Sequence, residues 1–255
     1  MAKQSGVGSA LWFGSVDISG DVGAVNSLEH SRAEQDVTGI NKSAVERILL
    51  RHDGMIGFTA FWNPTAGQAH PTLSALPRTD VQVTVGIGSA SGAVGQWAAS
   101  LLAKQTGYSP AFGDDGSLVA SINAVANGYP LEWGELLTTG KQTFASGSVN
   151  GTSIDLNNVY AGSTTTAFGA AAYLHVFSLG SGTPTLTIKD SANDSTFAAL
   201  SPTSLAFTPT VAGVERQTTG LTATIRRYIR VEVTGSYTNL VCALSFVRYT
   251  EAANS

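Results

Sequence analysis

Apolar positions recur every second residue over much of the chain, in short runs separated by Gly, Asn, Asp, Ser and Thr. The clearest case is Ile229-Arg230-Val231-Glu232-Val233, where the aliphatic residues share one face and the charged pair takes the other, which fixes the register of a half-buried strand. Further strands are predicted over 171–179, 183–190, 196–200, 214–220, 228–234 and 240–249. Their near-even spacing is the pattern of an antiparallel sandwich. Earlier in the chain, Val81 to Val85 alternates strictly. Residues 93–105 fit helix or strand on propensity alone; strand is favoured because Asp114-Asp115-Gly116 supplies a turn before Leu118 to Val125, making a long hairpin. One short helix is expected within 63–77, with Ala69, Leu73 and Leu76 on one face, Pro71 in its first turns and Pro77 ending it.

Residues 17–63 depart from this regularity. From Ser19 to Lys42 apolar residues are sparse and keep no period, so the segment reads as disordered or as held by something else. It leads into a strongly apolar ribbon, 47–51 and 55–62, around Asp53-Gly54, a dipeptide that signals a hairpin turn. An isolated hairpin is marginal in water and needs neighbours. The combination points to assembly and away from catalysis.

The chain of 255 residues is 43% hydrophobic, enough for one large all-β domain or two ordinary ones. Only 13% of residues are charged, against roughly 25% in typical soluble domains. That deficit fits β-structure with tight turns and a surface hidden in contacts. Of the net charge of −4, the excess lies in the first half: twelve acidic and eight basic residues up to Lys141, six of each beyond it. No basic stripe is present to grip phosphates, which argues against nucleic-acid binding. Cys242 is the single cysteine, so neither an intrachain disulfide nor a thiolate metal cage forms, and its strand context makes it a small buried hydrophobe. The first residues, with Lys3 and a glycine-broken apolar run, are too weak for a signal peptide, and no run of about 18 apolar residues marks a membrane span.

Each catalytic pattern has a plainer reading. His30, His52, His70 and His175 have no metal-ligand spacing and read as surface or strand residues. There is no nucleophile elbow followed by acid and histidine in order. Gly86 to Gly92 follows a strand as a dinucleotide loop does, but with G-x-G-x-x-x-G spacing and no second βαβ unit downstream. Asp114 with Asp115, and Glu132 with Glu135, read as turn formers rather than as a glycosidase pair. Trp12, Trp62, Trp97 and Trp133 are assigned to core packing first, with Trp62 the best interface candidate.

Several loose patterns together resemble the major tail tube proteins of bacteriophages with long, non-contractile tails: Val16-Asp17-Ile18-Ser19-Gly20, Asp36-Val37-Thr38-Gly39, Arg51-His52-Asp53-Gly54, Asn63-Pro64, the helix ahead of Val81, and Gly128-Tyr129-Pro130-Leu131-Glu132-Trp133-Gly134. The resemblance covers roughly residues 10–145. The remainder of the chain resembles the β-sandwich appendages of virion proteins, through Lys189-Asp190-Ser191 and Arg227-Tyr228-Ile229-Arg230-Val231. The resulting expectation is a mainly all-β chain: a tail tube sandwich or barrel domain over 1–146 with long hairpins and one short helix, then an immunoglobulin-like or jelly-roll-like sandwich over 147–255.

The resemblance implies a non-enzymatic virion protein, assembled in the host cytoplasm. It would form stacked, six-membered rings around a lumen through which DNA passes without specific binding, with no cofactor and no membrane. Its partners would be copies of itself and the tape measure, tail terminator and distal tail proteins. Expected assembly residues are Leu28, Glu34, Asp36, Thr38, Arg47, Arg51, Asp53, Gly54 and Trp62. The alternative is a carbohydrate-binding protein acting through the second domain, a reading weakened by the lack of tryptophan there.

Overall fold

The computed structural model describes residues 5–88, 94–157 and 165–250. The first strands are β1 (Ala10–Phe13), β2 (Val16–Asp17), β3 (Val22–Asp36) and β4 (Arg47–Phe61), followed by helix α1 (Ala69–Leu73). Then come β5 (Val81–Gly86), β6 (Trp97–Phe112), β7 (Leu118–Ala126), β8 (Glu132–Leu136), β9 (Gln142–Phe144), β10 (Val149–Asn150) and β11 (Ile154–Asp155). The rest are β12 (Ala170–Ser178), β13 (Ser181–Ser191), β14 (Ala198–Ala199), β15 (Ala206–Phe207), β16 (Gly213–Thr218), β17 (Tyr228–Thr238) and β18 (Leu240–Arg248). The all-β expectation, with one short helix, holds. Residues 89–93, which include most of the glycine-rich run and the start of the 93–105 segment, lie outside the described residues, as do 158–164.

The chain forms two compact units that do not follow sequence order. One takes in Met1–Gly20, Thr84–Ser100 and Trp133–Ser255; the other takes in Asp21–Val83 and Leu101–Glu132. Residues 146 and 147 both belong to the first. The chain changes unit within strands β5, β6 and β8.

The first unit is a sandwich. One sheet runs β16-β12-β18-β8 and on through β6 and β5 to β1 and β2, with β9 also on β18; the other runs β10-β17-β13-β14, with β11 on β17 and β15 on β13. Leu174, Val176, Leu244 and Phe246 of the first sheet pack with Leu186, Ile188, Ile229, Val231 and Val233 of the second. On β17 the expected alternation holds, aliphatic residues in and Arg230 and Glu232 half-exposed. Strand β12 does not alternate, because its other face is buried too: a cluster of Ala10, Trp12, Ala98, Leu136 and Ala243 packs there with Phe177. Strands covered on both faces read as unbroken apolar runs. Cys242 is fully buried in the sandwich core, as expected.

A bulge joins β6 to β8. Gly95, at φ +89, donates its N–H to the Leu136 carbonyl, while the Leu136 N–H goes to the Gln96 carbonyl, both at 2.8 Å. This is the glycine-led bulge, in which the extra residue must take the left-handed region. Glu132 and Glu135 therefore correct the sequence reading: they sit on strand β8, 4% and 0% exposed, not in a turn. Asp115 is a turn former, its Oδ1 accepting the Ser117 N–H at 3.0 Å.

The second unit is a sheet in the order β3-β4-β7-β6, with α1 beside it. The segment 97–112 is strand, as favoured, and pairs with β7 through Phe112↔Leu118. Helix α1 is shorter than expected: it ends at Leu73, and Leu76, at φ +41 and 45% exposed, is not on its buried face. Its start is fixed by the buried Asp21 carboxylate, which accepts the Ala69 N–H and the Asn63 side-chain amide, each at 2.9 Å. Gln105 donates to the Leu73 carbonyl at 2.7 Å, so the strand below satisfies an end carbonyl.

The hairpin itself differs from the sequence reading. Asp53-Gly54 is not a turn: β4 runs straight through it, with Ser31 opposite Asp53 and His30 opposite Gly54. The partner is the polar segment read as disordered or as held by something else; most of it is β3, held by β4. The connection lies earlier, in the ten residues 37–46 between β3 and β4. Gly54 is needed for a close approach rather than for a positive φ, since a Cβ there would stand 2.5 Å from the Leu131 amide nitrogen.

Candidate functional site

The β3–β4 ribbon extends beyond the sheet it starts from. Strands β3 and β4 pair from Val22↔Ala60 to Asp36↔Arg47, but β7 covers β4 only from Met55 to Phe61. The portion built from His30–Asp36 and Arg47–Gly54 is therefore a two-stranded arm among the described residues. A register shift between Arg32 and Glu34 twists it.

Local hydrogen bonds close the arm's end. Asp36 Oδ1 accepts the Thr38 N–H at 2.8 Å and its hydroxyl at 2.5 Å, and Thr38 Oγ1 accepts the Glu46 N–H at 2.9 Å. The Thr38 hydroxyl, then its amide, hold the Asp36 carboxyl below the ordinary carboxylate value. Lys42 pairs with Glu46 at 3.0 Å and Arg47 with Glu34 at 3.3 Å, all exposed. Such surface pairs contribute little. Midway along, His30 Nε2 and His52 Nδ1 meet at 3.0 Å, and Arg32 Nε lies 3.3 Å from the same His52 nitrogen. Arginine only donates, so His52 Nδ1 is the acceptor and His30 Nε2 carries the proton. Sequence spacing gives no reason to join these histidines; the ribbon register does.

The arm also exposes large aliphatic side chains. Ile48, Leu49 and Leu50 are 46%, 61% and 46% exposed, and Val37, Ile40 and Val45 in the connection are exposed as well. Fully burying such a side chain contributes about 1.5–3 kcal/mol, so the arm holds a large unused driving force for contact. A monomer surface rarely leaves contiguous aliphatic groups open without use.

Of the nine expected assembly residues, Leu28, Glu34 and Asp36 lie on β3, Thr38 in the connection, and Arg47, Arg51, Asp53 and Gly54 on β4. Trp62 follows β4 immediately and stacks on His70, ring centroids 3.7 Å apart. Gly54 is buried, and Leu28 is half-buried opposite Ile56, so neither is a contact group on the open surface. The sequence reading misses Ile48, Leu49 and Leu50 as contacts, although successive strand residues point to opposite faces and three aliphatics in a row cannot share one. The core reading holds for Trp12 at 1% exposed and fails for Trp62, Trp97 and Trp133, at 37%, 40% and 37%.

Both outer edges of this unit are open. Strand β3 pairs only with β4 among the described residues. Ile87 lies opposite Trp97 across the β5–β6 pair, and β5 begins at Val81, so the distal part of β6 pairs with no strand but β7 among the described residues, although Gln105 and Tyr108 there bond Leu73 and His70 at α1. Phe112 at that end is 82% exposed. No group of three or more potential metal ligands occurs among the described residues, and none of their helices is long and apolar enough to cross a membrane.

No protein-family model matches the chain, and no curated protein does. Among solved structures it is similar to the sheath/tube terminator of the PVC extracellular contractile injection system in its extended state, at 13% identity and a TM-score of 0.41, over 52% of this chain and 97% of the other. It is also similar to the Dit protein of SPP1, described as a hub adsorption apparatus in Gram-positive infecting phages, at 12% identity and a TM-score of 0.33, over 95% of this chain and 99% of the other. A third likeness, to infectious bursal disease virus strain Gx, has 12% identity and a TM-score of 0.20 over 96% of this chain and 68% of the other. Likenesses of this strength assign no function.

Proposed function

We propose that the chain is a non-enzymatic structural protein of a phage-type tail, whose copies join through the β3–β4–β7–β6 sheet into rings that stack as a tube. The observation that carries this reading is a sheet with two open edges and a projecting arm of exposed aliphatic residues. An open edge is a template for another strand, and pairing β3 of one copy with β6 of the next removes both edges at once when the ring closes. That contact is head-to-tail, and a head-to-tail contact repeated by rotation closes into a ring. The sequence resemblance supplies the six-membered ring, the DNA-carrying lumen, and the tape measure, terminator and distal tail proteins as partners. The low charge of the chain suits a subunit whose surface is largely shared with neighbours.

Electron microscopy of the purified protein at rising concentration, with sedimentation of the same samples, tests the reading. Rings or tubes with a central channel are expected. Compact monomers at every concentration, including after addition of a preformed tail-tip complex as initiator, would overturn it.

A second reading, saccharide binding, has one observation in its favour. Trp97 and Trp133, both more than a third exposed, stand on neighbouring strands β6 and β8 of the unit that contains the sandwich, so that unit is not without tryptophan. Indole faces are the usual stacking platforms for sugars. Glycan-array binding that disappears in Trp97→Ala and Trp133→Ala would support it; an array with no signal would remove it.

A further inference from the structure

Strand β16 ends the first sheet of the sandwich and pairs only with β12 among the described residues. Beside it lies a cavity of about 220 Å³, floored by Leu174 and Val176 of β12 and walled by Pro209, Val211, Val214 and Glu215. Val211 and Val214 are 69% and 38% exposed. A free strand edge next to an aliphatic pocket is the arrangement by which sheets take up an added strand: backbone bonds supply affinity, and the pocket selects a side chain.

We infer that this edge and cavity receive the arm of a second copy of the chain, residues 47–51, with Leu49 in the cavity and Arg47 beside Glu215. Three features of the arm match the site. The outer edge of β4 from Arg47 to Gly54 is unpaired by any strand among the described residues, so it has backbone groups to give. Leu49 is the most exposed of the three consecutive aliphatics, at 61%. Arg47 lies two residues from Leu49 in a stretch of regular register, Gln35↔Ile48 between Glu34↔Leu49 and Asp36↔Arg47, so both side chains project from the same face. Its guanidinium then meets the exposed Glu215 carboxylate at the cavity wall. The present partner of Arg47, Glu34, is an exposed one at 3.3 Å and exchanges at little cost. This contact rests on the proposed self-assembly and extends it from the sheet edges to the sandwich.

The test is a charge-reversal cycle with a cross-link. Glu215→Arg and Arg47→Glu should each weaken association in sedimentation by about tenfold, and the double variant should regain most of it. Leu49→Cys with Val211→Cys should form an intermolecular disulfide under mild oxidation, while buried Cys242 stays out of the reaction. Single variants that associate as the parent does, or no cross-link in an associating sample, would overturn the contact. The outcomes separate the two readings. Normal tubes from Glu215→Arg would sink this contact and leave the tube, whereas a cross-linked pair without tubes at any concentration would keep the contact and remove the tube.

Discussion

Gly54 and Leu131 touch backbone to backbone: a Cβ added at Gly54 would stand 2.5 Å from the Leu131 amide nitrogen and 2.8 Å from its Cβ. Neither atom is the end of a flexible side chain, so the backbone must move to admit one. Gly54→Ala should therefore destabilise the protein by about 1–3 kcal/mol, the usual cost of overpacking, read as a lower denaturation midpoint. Gly54→Asn separates this from a turn. Asparagine is welcome in a two-residue hairpin turn, so a neutral Gly54→Asn would show that the ribbon turns at Asp53-Gly54 after all.

The arm should be separable from folding. Ile48→Thr, Leu49→Ser and Leu50→Thr together alter only exposed side chains on a strand and should change stability by about 0.5 kcal/mol or less each. Association should be lost at concentrations where the parent assembles. A triple variant that assembles normally would show that these aliphatics are not contacts.

His175 makes the first unit acid-sensitive. The ring is fully buried between Trp12 and Phe177; Nδ1 donates to the Gly14 carbonyl at 2.7 Å, and Nε2 lies 2.9 Å from the oxygen of the Thr84 hydroxyl, whose own proton goes to Ser100 Oγ at 3.0 Å. Burial pushes its pKa down from 6.5 to about 4. The unfolded chain thus binds a proton that the folded one refuses between those values. Stability is full above pH 6.5, falls with about 1.4 kcal/mol per pH unit toward pH 4, and loses no more from this group below that, about 3 kcal/mol in all. Urea unfolding of the parent and of His175→Gln across this window should give a shallower slope for the variant. Parallel slopes would exclude the histidine as the cause.

The sandwich should depend on one carboxylate. Asp190, 3% exposed, accepts the Arg226 N–H at 2.8 Å, its Nε at 2.9 Å and its Nη2 at 2.5 Å, and so fastens the segment ahead of β17 to β13. Arg226 is 36% exposed and stays partly hydrated when its partner goes, so Asp190→Ala should lose about 1.5–3 kcal/mol, the worth of hydrogen bonds to a charged group. The Asp155 carboxylate, paired with Arg227, is more exposed, 20% against 4%, and Asp155→Ala should cost clearly less. Equal thermal shifts for the two would contradict this ranking.

The legibility of the sequence followed the presence of a single buried face. Ile229, Val231 and Val233 were readable because one side of β17 meets the core and the other meets water. Strand β12, Ala170 to Ser178, was found by its apolar run alone, since burial on both sides erases alternation. Strand β3 gave no signal because nearly every position from Gly23 to Asp36 is half or fully exposed, leaving no apolar face for the period to mark. The same exposure hid the pairing of His30 with His52, which depends on a register that no periodicity fixes. Asp53-Gly54 misled because a glycine required for close approach looks, in one dimension, like a glycine required for a turn.

The unit that contains the sandwich holds both Met1 and Ser255, while the other occupies two interior stretches, Asp21–Val83 and Leu101–Glu132. A single crossover at any position within these 255 residues therefore divides the unit that contains the sandwich. Three of the joins lie inside continuous strands, β5, β6 and β8, where a crossover must also preserve strand register. A crossover keeps a unit whole only when that unit is contiguous in sequence, so no single crossover within these residues leaves both units intact.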